Sequence, residues 1–502
     1  MRVILAAWTV LAICFCTGCK QEEETRFPIT MMMEQFSEME ASPGGVWLEE
    51  LEKYTDTDLQ FQMVPTLEYV AQTERLIRSD GLPMVIAFNK TIMDKEAFYA
   101  YVRAGGFWEL DDYLDDYPAL KEFVGDEIWE GSRIHGHIYG IPRLRIRPRY
   151  AAYYRADWAE KLGIKPPQTL DEIYEMLKAF TEQDPDGNGI ADTVGLVDSW
   201  QQWRTREWNG IQNVTTALGG PNGWEYDEEE AAMVPDFATE EYMEAMNWFK
   251  SLYQAGYLEN TFSFLTPVQR QELFIQGRAG MIFGVIDDAP QMEDEMRELN
   301  PKAKVAILPL IRAEGREYRV NSTEGHNGLV MFNRIGSGAI KSEEELRRVL
   351  EFYNSLCEEE GQDLLLFGKE GKYHVVEPDG QKRLLCEEGH NKSILAEETG
   401  SYYQIMPLPA YTRTAGDSFL QQEVYDQIEE REQWLVLNDA LGLYSETYSM
   451  LSDTLNRRIK KASMRYMMGE ITETDYWKEY KGWYEEGGKK VIEEYTRQYL
   501  DR

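Results

Sequence analysis

Strand-like and helix-like stretches alternate along the chain from Phe27 onward. Phe27-Pro28-Ile29-Thr30-Met31-Met32 predicts a first strand. Val46 to Tyr54 is an amphipathic run after Gly44-Gly45 and predicts a helix. Leu59 to Val64 alternates apolar and polar residues as a strand does. Leu67 to Ile77 predicts a second helix, ended near Ser79-Asp80-Gly81, and Pro83 to Phe88 a buried strand. This is the spacing of βαβ units, so the expected class is α/β with a mostly parallel sheet. The pattern restarts near Tyr150. A helix over Thr169 to Phe180 follows, with Thr169 and Glu172 spaced as a capping box. Glu240 to Gln254 predicts another helix, stopped by Gly256. Arg278 to Phe283 and Val305 to Pro309 predict strands, and the chain from about Glu423 is mostly helical.

The 502 residues suffice for two or three domains, and 43% hydrophobic residues suffice for large cores. A net charge of −37 excludes a nucleic-acid partner, because no basic surface dominates. Met1-Arg2, the apolar run Val3 to Phe15 and Thr17-Gly18-Cys19 predict a bacterial secretory signal with a lipobox-like end. Cys19 would then carry a lipid, and Lys20-Gln21-Glu22-Glu23-Glu24 would be a polar tether. An ordinary cleaved signal with an incidental Cys19 is the alternative. Cys357 and Cys386 are expected as free thiols.

Asp184-Pro185-Asp186-Gly187-Asn188-Gly189-Ile190-Ala191-Asp192 is the strongest chemical motif. Oxygen donors recur at every second residue: Asp184, Asp186, Asn188, the Ile190 carbonyl and Asp192. This matches the first part of an EF-hand loop and predicts a structural Ca²⁺. The bidentate Glu expected at the twelfth position is Gly195. Arg143, Arg145, Arg147 and Arg149 recur at period two, so a strand would present them on one face. Guanidinium groups recognise carboxylate or sulfate, and pairing with local acids is the competing use. Trp200, Trp203, Trp208 and Trp224 offer faces on which sugar rings stack, although most such side chains serve the core. His135 and His137 flank Gly136 in a hairpin-like turn and offer no third zinc ligand by spacing.

Several segments in order resemble the extracellular solute-binding proteins of group 1, the lipoprotein receptors of carbohydrate ABC importers. They are Ser79-Asp80-Gly81-Leu82-Pro83, Tyr139-Gly140-Ile141-Pro142, Tyr154 to Gly163 followed by Thr169 to Glu172, and Phe274 to Met281. The calcium loop resembles the alginate-oligosaccharide-receptor branch. In relatives the last segment leads to a tryptophan that stacks on sugar, where this chain has Gly284-Val285-Ile286-Asp287. The resemblance implies a periplasmic-binding-protein-like fold: two α/β lobes joined by hinge crossovers and closing on a glycan. The implied division is a signal over 1–19, a tether over 20–26, the first lobe over 27–149 and the second over 150–306. The chain then returns to the first lobe over 307–370 and to the second over 371–502. The implied partners are an oligosaccharide, the permease subunits and, through Cys19, the outer face of the cell membrane; the protein is expected to be a monomer without catalytic residues. With Arg143 and Arg145 near the first crossover, the expected ligand is an acidic or sulfated oligosaccharide. A receptor for peptide or another solute, and a surface glycosidase, are the other readings.

Overall fold

The computed structural model describes residues 26–36, 42–93, 95–200, 210–313, 315–386 and 393–501. The expected signal, Cys19, Trp203 and Trp208 lie outside those residues. Along the chain run β1 (Phe27–Gln35), β2 (Thr57–Pro65), β3 (Val85–Phe88), β4 (Gly140–Leu144), β5 (Tyr150–Arg155) and β6 (Val194–Val197). They are followed by β7 (Ala279–Val285), β8 (Val305–Ile307), β9 (Val320–Asn321), β10 (His326–Phe332) and β11 (Leu435–Val436). Two main sheets result, ordered β2-β1-β3-β10-β4 and β8-β5-β7-β6.

The inner strands of each sheet are buried on both faces, which explains their nearly continuous apolar runs, while the edge strand β2 alternates buried and exposed residues. In β1, Met31 and Met33 enter one core and Met32 the opposite one. In β5, Ala152 and Tyr154 enter one core while Tyr153 enters the other. Helices cover both faces at the predicted places. The helix Leu170–Glu182 is opened by the predicted capping box, in which Glu172 N–H donates to Thr169 Oγ1 at 3.2 Å. The helix Glu240–Ala255 ends at Gly256, whose φ of 78° lies in the left-handed region that glycine tolerates.

The α/β class and the two lobes are as expected, and the strand pairing is mixed. β1 runs parallel to β2 and β3, and β6 parallel to β7. Every antiparallel pair in the two main sheets involves β5 or β10. These are the strands that the chain enters directly after crossing between lobes.

The first crossing is Arg145 to Arg149, between β4 and β5, and the second spans residues 308–325, between β8 and β10. They run side by side: Arg145 N–H donates to the Gly325 carbonyl and Thr323 N–H to the Arg147 carbonyl, both at 2.8 Å. The third lies between Leu408, packed on the first lobe's core, and Tyr411, packed on the second lobe's. This corrects the return at residue 371. Tyr373, Leu395, Ile405 and Met406 belong to the first core, where the Tyr373 hydroxyl accepts a hydrogen bond from Trp47 N–H at 2.8 Å.

Candidate solute-binding cleft

β1, β3 and β4 share one direction, and the first crossing leaves the C-terminal end of β4. The ligand-binding edge of an open α/β sheet is that end. It brings together Glu34 at the end of β1, Asn89 after β3, and Arg143 in β4. Glu34 is buried; its backbone exchanges hydrogen bonds with the Gln404 amide, and its carboxylate accepts from Asn89 Nδ2 at 3.3 Å. The grouping of Asn89 and Gln404 around Glu34 was not apparent from spacing, because its members come from segments up to 370 residues apart.

Arg143 is 6% exposed, and its buried Nε has no hydrogen-bond partner. No carboxylate among the described residues pairs with it. Burial first, and then the charge of Arg145, push its guanidinium down to about 10, so it remains cationic at neutral pH. Arg145 lies over the Tyr403 ring at 5.9 Å and donates from Nη1 to the Leu144 carbonyl at 3.2 Å.

The four arginines do not share one strand face. β4 ends at Leu144, and Ile146 turns into the second lobe's core. Arg147 bridges the lobes instead, with Nη1 2.6 Å from Glu127 and Nη2 2.6 Å from Glu432. Arg149 makes a bidentate pair with Asp287, both contacts at 3.1 Å. Trp200 and Trp224 are also corrected. They are 1% and 6% exposed in the second lobe's core, Trp200 edge-on to Phe262 and Trp224 edge-on to Tyr495. Core packing has taken the faces that a sugar would need.

Opposite the first lobe's edge, Tyr444 of the second lobe meets Tyr99 at a centroid distance of 4.5 Å and His135 at 5.1 Å. His135 and His137 therefore face apart. His137 Nδ1 lies 2.9 Å from Glu109 and 3.8 Å from Asp111. These three form the one group among the described residues with metal-like spacing, but both Asp111 oxygens are already engaged, by Arg133 and by Ile138 N–H.

The acidic loop follows the helix Leu170–Glu182 and precedes β6. Asn188 Nδ2 donates to Asp186 at 2.7 Å and to Asp192 at 3.1 Å, so a partial positive charge stands between two carboxylates. Gly187 and Gly189 N–H groups donate to Asp184 at 3.1 Å each. Burial, and then nearby Asp184, hold the Asp186 carboxyl above its ordinary range. The donor types suit a hard cation, although the Asp184, Asp186 and Asp192 oxygens do not converge as closely as the Glu109–Asp111–His137 group, so an ion would draw them together and turn the Asn188 amide to present its oxygen. Ile190 N–H now donates to that oxygen at 2.7 Å, and the Ile190 carbonyl accepts from Asp192 N–H at 3.0 Å. Gly195 cannot be the missing Glu, since a Cβ there would stand 2.4 Å from the Leu177 carbonyl oxygen.

A family model for the bacterial extracellular solute-binding proteins matches residues 39–335. The chain belongs to that family. This solute-binding protein is 33% identical over 449 residues to the polygalacturonan/rhamnogalacturonan-binding protein YtcQ of Bacillus subtilis (strain 168), covering 89% of this chain and 86% of that one. It is 31% identical over 505 residues to the lipoprotein LipO of the same organism, covering 97% of each. Among solved structures it resembles the Streptococcus pneumoniae substrate-binding protein FusA in complex with kestose, with TM-score 0.69 and 15% identity over 94% of this chain and 99% of that one. An alginate-binding protein without calcium ion has TM-score 0.66 and 17% identity over 95% and 99%. At such identities the structural likeness speaks for the fold alone.

Proposed function

We propose that this solute-binding protein is a non-catalytic receptor that takes an acidic oligosaccharide between its lobes and delivers it to the permease of an ABC importer. The observation that carries the acidic specificity is Arg143, a buried cation at the ligand-binding edge of the first lobe with no ion pair among the described residues. A guanidinium matches a carboxylate with two parallel hydrogen bonds. Arg145 beside it extends the same recognition. The polygalacturonan/rhamnogalacturonan-binding relative supports a uronate-containing glycan. The lipoprotein relative supports the anchor at Cys19, which would hold the protein at the outer face of the cell membrane. Trp203 and Trp208 remain the tryptophans proposed to stack on sugar. Calcium in the Asp184–Asp192 loop is structural in this reading and lies apart from the ligand.

A thermal-shift screen of the protein from Cys19 onward, in calcium, tests the ligand class. Ligand at ~100 times its Kd adds ~2.7 kcal/mol. Uronate oligosaccharides should raise the melting temperature and neutral ones of equal length should not. A shift with neutral glycans alone would remove the acidic specificity, and a shift with peptides alone would remove the glycan.

A further inference from the structure

The second crossing closes over a small cavity of about 30 Å³ on the second lobe. Ala151 and Ala152 of β5, Leu308 and Asn321 of the crossing, and the side chains of Arg319 and Arg431 line it. A space this small admits one or two waters or a carboxylate-sized group, and not a sugar ring.

Both arginines carry a buried Nε with no hydrogen-bond partner. Arg431 is 5% exposed, and its Nη2 donates to the Leu308 carbonyl at 2.6 Å and to Gln427 Oε1 at 3.4 Å. Arg319 donates from Nη2 to the Gly220 carbonyl at 3.2 Å. These acceptors are all neutral. Among the described residues no carboxylate pairs with either arginine; Glu430 acts on Arg431, and Glu225 and Arg319 on each other, only from a distance. Burial pushes Arg431 down to about 10, so it is still charged at neutral pH. A buried guanidinium without a counter-charge is unfavourable until an anion neutralises it. The chain has 89 Asp and Glu residues, yet none of those among the described residues pairs with either arginine.

We propose that Arg319 and Arg431 form an anion seat beside the second crossing, filled by one carboxylate-sized anion. That anion is either a carboxylate of the bound glycan or a free inorganic anion. The first source rests on the acidic-oligosaccharide reading above, and the second does not. With a glycan as the source, Arg143 holds one charge in the first lobe and this seat holds another in the second. The ligand then carries at least two anionic groups.

The test uses the whole mature protein with Arg431→Met and Arg319→Met, the latter at a half-buried position that folding tolerates more readily. Bromide is compared with the bulky anion HEPES at equal ionic strength by thermal unfolding, and trigalacturonate is titrated calorimetrically. A bromide-dependent rise in melting temperature, present in the parent and lost in both variants, supports a free-anion seat. A tenfold or greater loss of trigalacturonate affinity in both variants supports the glycan carboxylate. Variants that keep both the parent's bromide response and its trigalacturonate affinity overturn the seat. If the parent binds no trigalacturonate, the glycan reading fails on its own and the bromide comparison alone decides the seat.

Discussion

At the scale of single residues, Arg143 costs the empty protein stability. Its guanidinium has left water without gaining an ion pair, and replacing such a charge by an apolar side chain of similar length removes that penalty. Arg143→Met is therefore expected to raise the stability of the ligand-free protein by about 1–3 kcal/mol while abolishing uronate binding. Chemical denaturation and a binding titration on the same sample check both halves. A variant that loses stability would show that Arg143 serves the fold. The arginine cluster was legible in the sequence as a cluster, but its division of labour was not. Period two marks one face only while the strand continues, and β4 stops before Arg145. The acids that claim Arg147 and Arg149 come from distant segments. The tryptophans misled for a related reason: a polar, glycine-containing neighbourhood in sequence says little about which core a ring reaches. Trp200 follows directly from buried β6 and is carried inward with it.

At the scale of elements, the acidic loop was read from local spacing and the helix-loop-strand order agrees with that reading. Its departure at the twelfth position has a packing cause. β6 lies so close to the helix Leu170–Glu182 that only glycine fits at 195. Restoring the consensus by Gly195→Glu is thus expected to cost about 3 kcal/mol or more, without improving calcium affinity. Calcium itself should stabilise the protein. At ~100 times its Kd the ion adds ~2.7 kcal/mol, roughly 5–10 °C for domains of this size. Chelation should lower the melting temperature by that amount in the parent and leave Asp186→Asn unchanged. Equal melting temperatures of the parent with calcium and with chelator would remove the ion from the account. Helices and strands were legible because their periods are local and their ends carry chemical marks, such as Thr169 with Glu172 and Gly256.

At the scale of the whole molecule, three crossings join two sheets, and the lobes touch again away from those crossings, where Tyr444 meets Tyr99 and His135. The proposed place of the ligand is the space between these lobes, at the polar edge of the first. The α/β alternation and its restart at Tyr150 were legible locally, and the two lobes were implied by the family resemblance. The late return near Tyr411 was hidden, because hydrophobic periodicity does not say which core a helix joins. The central claim is that this space receives an acidic glycan. The most direct measurement is calorimetric titration of the calcium-loaded protein with trigalacturonate and, separately, with its fully methyl-esterified form. The account predicts saturable binding of the acid and at least a hundredfold weaker binding of the ester, because esterification removes the charge and keeps the ring. Equal affinity for both forms would contradict it.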